Sequence, residues 1–148
     1  MALLYITNEK KLILMSILPR WFNLIISGVK KWEYRKILIK AQPESRIIFY
    51  LSKDVHAIVG EAEIEKIIRG PVEYLIEQTI NESQEKPEDM KKSFAGKQFG
   101  SAIKLKNLLI YKKPISLQEI QRKIPNFRPP QSFYYISKDS PLIQMLKN

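Results

Sequence analysis

The chain has 148 residues, 45% of them hydrophobic and 27% charged, which is the make-up of one globular domain with an ordinary core. No run approaches the roughly 18 apolar residues of a membrane span, residues 1–9 lack the basic leader and cleavage site of a signal peptide, and the absence of cysteine excludes disulfides, thiolate metal sites and cysteine nucleophiles. A formal net charge of +10 points toward polyanions.

The predicted elements follow in chain order. Residues 11–18 form a nearly continuous apolar run, as in a buried strand. Pro19 opens a helix at a favourable first-turn position, and Gly28 ends it. Residues 31–37 read as a second strand and 38–45 as a loop. Residues 46–52 and 57–68 make the third and fourth strands; in the latter Glu61, Glu63 and Glu65 alternate with other residues, which predicts an acidic, solvated face. Gly70-Pro71 breaks this strand, a helix covers 71–80, and 81–88 is a polar, mobile loop. Pro87 starts a short helix through residue 94. Residues 101–111 are the fifth strand, with a bend near Lys106-Asn107, and Pro114 closes it. Ser116 caps a helix over 117–122, with Glu119 at the capping-box position. Residues 125–130 are extended, Phe133–Ile136 is a short sixth strand, and Asp139 or Ser140 caps a last helix, Pro141–Leu146. There is no repeat or heptad run. Helices inserted between strands without strict alternation define an α+β fold on a small mixed β-barrel, in one domain over 1–148.

Charge is segregated along this order. Residues 10–53 hold ten Lys/Arg and two Asp/Glu, residues 54–90 three and ten, and residues 91–148 twelve and two. If the two basic blocks meet in space, they form a positive face suited to polyanions. Charge scattered for solubility is the plain alternative.

The densest chemistry lies in Gly28-Val29-Lys30-Lys31-Trp32-Glu33-Tyr34-Arg35. A glycine turn leads into a strand that puts Glu33 and Arg35 on one face and Trp32 and Tyr34 on the other. Lys30 stands at the turn. A cation, a carboxylate and a guanidinium at one strand end suit a polar pocket.

This G-x-K-x-x-E-x-R pattern, placed after a strand ending Ser16-Ile17-Leu18-Pro19 and a helix, resembles the opening motif of the ASCH domains of the PUA-like superfamily. Tyr50-Leu51-Ser52, Val59-Gly60-Glu61-Ala62 and the segment from Phe127 through Arg128 and Ser132 to Phe133 fit the same resemblance, which spans about 12–136. It implies a barrel with the motif at the mouth of a basic cleft, RNA or a nucleotide as ligand, and no cofactor. It also implies a choice between a binding module, regulatory in RNA metabolism or transcription, and a small metal-independent hydrolase, either a ribonuclease or a modified-nucleoside amidohydrolase. In the amidohydrolase branch a threonine stands where this chain has Glu33, so no hydroxyl nucleophile is assigned there.

The candidate ligand-binding residues are Lys30, Glu33, Arg35, Tyr50, Ser52, Arg128 and Ser132; Lys30 and Glu33 are the catalytic pair if the protein is an enzyme. Each has a structural reading beside the functional one. Lys30 is a phosphate ligand or base, or else a turn lysine. Glu33 meets a base edge or a proton, or else pairs with Arg35 or Lys30. Arg35 grips a phosphate in bidentate fashion or buttresses Glu33. Tyr50 and Ser52 flank a strand end. Ser132 reaches the cleft or stabilises a turn. Arg128, beside Phe127, suits single-stranded RNA or belongs to a proline-fixed strap. Trp21, Trp32 and Tyr34 read as core before stacking platforms. His56, the one histidine, reads as structural or exposed, and the glutamate row as a solvated face before a Mg²⁺ site; no metal is expected. A third reading has the acidic block 54–90 meet a basic protein partner. No membrane association is expected, and a reducing, cytoplasmic setting fits the cysteine-free composition.

Overall fold

Two apolar runs, Leu12–Ile17 (β1) and Arg46–Leu51 (β3), lie side by side in parallel, with Met15 opposite Phe49 and Ser16 opposite Tyr50. Strands buried on both faces need apolar residues at successive positions, and these two have them. The computed structural model describes residues 10–146. The leader reading of residues 1–9 lies outside them. Between β1 and β3 the chain forms a helix, Pro19–Ile26 (α1), and a four-residue strand, Trp32–Arg35 (β2). It continues through Ala57–Pro71 (β4), Val72–Thr79 (α2), a 3₁₀ turn Ile80–Glu82 and Pro87–Lys92 (α3). Phe99–Ser116 (β5), Leu117–Lys123 (α4), Phe133–Ile136 (β6) and Pro141–Leu146 (α5) complete it.

The six strands make one mixed sheet in the order β2-β5-β4-β3-β1-β6. The α+β expectation holds. The ladder runs from β2 to β6 without joining its ends, so the sheet is open where a barrel was predicted. It curls nonetheless. The Arg35 Nη2 at the end of β2 donates to the Ser16 carbonyl of β1 at 3.0 Å, so one side chain links the two sides of the curl. Inside sits a core of Ile13, Met15, Phe22, Phe49 and Ile64. Trp32, Tyr34, Leu75, Met90 and Phe94 pack α2 and α3 against β2 and β5. Leu14, Ile48, Tyr50, Ile58, Ile120 and Leu142 seat α4 and α5 on the outer face.

Local signals act as their chemistry dictates. Pro19 begins α1, where Leu18 O accepts from Trp21 and Phe22 N–H. Gly28 leaves it at φ +82°, the left-handed region that glycine enters without penalty. Ser116 Oγ accepts from the Glu119 N–H at 3.1 Å, as a capping serine does, and Ser140 Oγ accepts from Leu142 N–H at 3.2 Å. Asn107, at φ +54°, is the predicted bend.

Three expectations are corrected. β5 runs on through Pro114 to Ser116, because its outer half has β4 on one side only and β2 pairs no further than Lys104; a proline on an unpaired edge removes no ladder bond. β4 likewise extends to Pro71. The glutamate row is not a free acidic face. Arg46 spans Glu61 at 2.5 Å and Glu63 at 3.2 Å, the Tyr111 hydroxyl donates to Glu61 at 2.8 Å, and Lys104 pairs with Glu65 at 3.5 Å.

Candidate functional site

The strand alternation in β2 turns Glu33 and Arg35 into the mouth of the curl and sends Trp32 and Tyr34 toward α2 and α3. The turn after α1 brings Lys30 over the same mouth, its N–H bonded to Leu24 O at 3.0 Å. A cleft of about 360 Å³ opens there. Its charged lining is Lys30, Glu33, Arg35 and Lys36; Ser52 and Ser132 face it from β3's end and from the segment before β6.

Lys30 is buried, its side chain only 2% exposed. The ammonium sits 3.4 Å from Glu85 Oε2 and 3.7 Å from Glu33 Oε1. It also lies 4.8 Å from the centre of the Tyr34 ring and 5.5 Å from that of Trp21. Two carboxylates and two π faces replace the water that burial removes. Glu33 Oε2 accepts from Arg35 Nη2 at 2.9 Å and Oε1 from the Tyr34 N–H at 3.1 Å. A carboxylate offers about four acceptor positions, so Glu33 retains capacity for a ligand. Arg35 also donates through Nη1 to Ser132 Oγ at 3.3 Å. Its Nε is buried without a hydrogen-bond partner among the described residues.

The Tyr34 hydroxyl lies 2.9 Å from Thr79 Oγ1. Thr79 gives its own proton to Leu75 O at 2.8 Å, so the phenol is the donor. Burial pushes the Tyr34 hydroxyl above the usual tyrosine range, and the nearby Glu85 and Glu33 charges add to the rise. Tyr34 is thus a fixed neutral wall that presents its ring to Lys30.

Of the seven candidates, Lys30, Glu33, Arg35, Ser52 and Ser132 share this cleft. Tyr50 does not line it. The residue is 1% exposed among Leu14, Ile48 and Ile58 on the outer face, where burial raises its hydroxyl and no partner is present among the described residues. Arg128 is exposed on the strap before Ser132, bonded to its neighbour's carbonyl, Phe127 O, at 3.0 Å, and does not line the cleft. The second basic block supplies Ser93, Ala95, Gln131 and Ser132 to the lining, none of them charged. Cleft charge therefore comes from the first block and is countered by Glu33. His56 is exposed in the β3–β4 turn at φ +49°.

Glu85 was not foreseen. It arrives from the polar 81–88 segment, 55 residues from Lys30, anchored by its own N–H on Ser83 Oγ at 3.1 Å. Nothing local marks one glutamate of an acidic stretch as the one that folds over a lysine. Trp21, read as core, is half-buried and lines the cleft.

Fold and site together define an α+β protein with a polar cleft at the mouth of a curled mixed sheet. A family model described as the ASCH domain matches residues 15–115, and the chain belongs to that family. It is similar to the ASCH domain-containing ribonuclease of Zymomonas mobilis, with 27% identity over 131 residues, 88% of each chain. The crystal structure of ASCH from Zymomonas mobilis matches at a TM-score of 0.80 and 27% identity, covering 94% of this chain and 95% of that one. Human THYN1, solved in complex with DNA containing 5-methylcytosine, shares the fold at a TM-score of 0.59 and 14% identity, covering 93% and 96%. No helix among the described residues is long and apolar enough to cross a membrane.

Proposed function

We propose that this chain is a single RNA- or nucleotide-binding domain of the PUA-like type, working in the cytoplasm, its curled sheet serving as a barrel wall. The convergence of Lys30, Glu33 and Arg35 with Ser52 and Ser132 in one cleft carries the reading. A cleft of about 360 Å³ lies toward the small end of ligand sites, which run from about 300 to 1,000 Å³. That suits one unpaired nucleotide and excludes a duplex. Arg35 and Lys36 meet phosphate, Glu33 accepts from a base edge, and the two serines bond sugar or phosphate oxygens. Arg128, outside the cleft, meets the flanking backbone. Single-stranded RNA, double-stranded RNA and DNA titrated across a salt series test this. Single-stranded RNA should bind best, and Arg35→Ala and Lys30→Ala should weaken it about tenfold or more. Unchanged affinity in folded variants would refute the cleft.

A second reading, favoured by the ribonuclease relative, is cleavage in the same cleft. Glu33 would take the proton of the RNA 2′-hydroxyl as that oxygen attacks the adjacent phosphorus, Arg35 would hold the charge on the phosphate oxygens, and Lys30 would protonate the departing 5′ oxygen. Product formation lost in Glu33→Gln supports this; binding without product rejects it.

A further inference from the structure

The outer half of β5 presents a second concavity that shares no lining residue with the cleft. It is the larger of the two, about 720 Å³, between β5, α4 and α5. Its floor is aliphatic: Leu109, Ile110, Ile115, Met145 and Leu146. Leu109 and Ile110 are 53% and 43% exposed, a high exposure for adjacent large apolar residues. Lys112, Lys113, Arg122 and Lys123 stand on its rim against one carboxylate, Glu119. The four rim cations have no ion-pair partner among the described residues, and Glu119 is engaged by its cap, Ser116 Oγ, at 3.3 Å.

We propose that this groove receives an amphipathic helix of a partner protein, one with a leucine-type apolar face flanked by Asp and Glu. The charge of the rim selects acidic margins. The floor lacks what a nucleic acid needs. Bases stack on aromatic faces, and the one aromatic residue here, Tyr111, is half-buried with its hydroxyl committed to Glu61 at 2.8 Å. Addition of an extended strand to the β5 edge is opposed by Pro114 and by the consecutive Lys112 and Lys113, the residues that guard edges against pairing. Leu109 and Ile115 pair with Glu61 and Ile58, three residues apart on β4, because β5 bulges between them, so this wall runs about 10 Å along the sheet, the rise of about seven helical residues. Over that rise a helix offers anchors at i, i+3, i+4 and i+7.

The probe is a fluorescein-labelled helical peptide of about 15 residues with Leu at those positions and Glu beside them. An isomer with the same composition but dispersed leucines, and a version with Lys for Glu, serve as controls. Titration against the full chain by anisotropy should show salt-sensitive binding to the first peptide alone. Lys112→Glu/Lys113→Glu and Ile110→Asp should each weaken it about tenfold or more, while RNA affinity at the Lys30 cleft stays unchanged. All three positions are exposed, so the fold is retained, which circular dichroism checks. Equal binding of the dispersed isomer, or none of the first peptide, overturns the proposal. So does RNA that competes with the peptide and is lost in Ile110→Asp, a dimer dissolved by Ile110→Asp, or peptide binding that requires deletion of residues 1–9. Those three outcomes would assign the groove to a nucleic acid, a second copy or the chain's own N-terminal segment.

Discussion

Replacing Glu33 by glutamine keeps the shape of the side chain and removes the charge between Lys30 and Arg35. The carboxylate lies 2.9 Å from Arg35 Nη2 and 3.7 Å from Lys30 Nζ, with its own side chain 7% exposed. At an effective dielectric of about 20 those attractions are about 6 and about 4 kcal/mol before desolvation, which cancels much of them. Breaking a buried pair typically costs about 3–5 kcal/mol. Here each cation keeps another partner, Lys30 the Glu85 carboxylate at 3.4 Å and Arg35 the Ser16 carbonyl at 3.0 Å, which lowers the loss. The expected destabilisation is about 2–3 kcal/mol, a drop of about 1–2 M in urea midpoint. Urea unfolding followed by tryptophan fluorescence measures it. A double-mutant cycle with Arg35→Met isolates the direct coupling, expected near 2 kcal/mol. A coupling below about 0.5 kcal/mol is the value of an exposed surface pair, and it would refute the account of Glu33 as the buried hub of the cleft.

At Gly100 an added Cβ would lie 2.5 Å from the Arg35 carbonyl and 2.7 Å from the Phe94 ring. Gly100→Ala should therefore cost about 1–3 kcal/mol in thermal or urea unfolding, and it should weaken RNA binding as well because it displaces the end of β2. Thr79→Val removes the acceptor of the buried Tyr34 hydroxyl and should cost about 1–3 kcal/mol; adding Tyr34→Phe should restore most of it, since no buried donor is then left unpaired. Burial, reinforced by Glu61, holds the Tyr111 hydroxyl far above the usual tyrosine range. Its neutral form is favoured in the folded state, so its contribution to stability is complete below the unfolded value of about 10 and declines as pH rises above it. Denaturation between about pH 9 and pH 11.5 should show that decline, and Tyr111→Phe should flatten it.

Much of the frame was legible because it rests on local rules. The apolar runs of β1 and β3, the proline at the start of α1, the glycine at its end and the serine cap of α4 each do what their chemistry predicts. The cluster of Lys30, Glu33 and Arg35 was legible for the same reason, since strand alternation fixes which side chains share a face. The misses are all long-range. Pro114 reads as a terminator until it is known that β5 has no neighbour on that edge. Tyr50 follows Ile48 in the same alternation, yet in a strand buried on both sides nothing in the sequence tells which face meets the cleft. Arg46, Glu61 and Glu63 become a closed ion cluster only once β3 and β4 are paired in register. Glu85 reaches Lys30 through a loop whose path is set by where α2 and α3 pack.

The bond from Arg35 to the Ser16 carbonyl also bears on the order of folding. The β3-β4 pairing joins neighbours in sequence, and β5 follows β4 after two short helices. Such near-sequence contacts close at lower entropic cost than β2 docking on β5, some 70 residues away. The sheet's two sides can meet at Arg35 only after both sets of pairings exist. The loop lengths predict that Arg35 makes this bond late in assembly, after the rate-limiting barrier. Its removal should leave the refolding rate unchanged and appear almost wholly as faster unfolding. The residue that braces the cleft would then also be the one that sets how long the folded sheet stays curled.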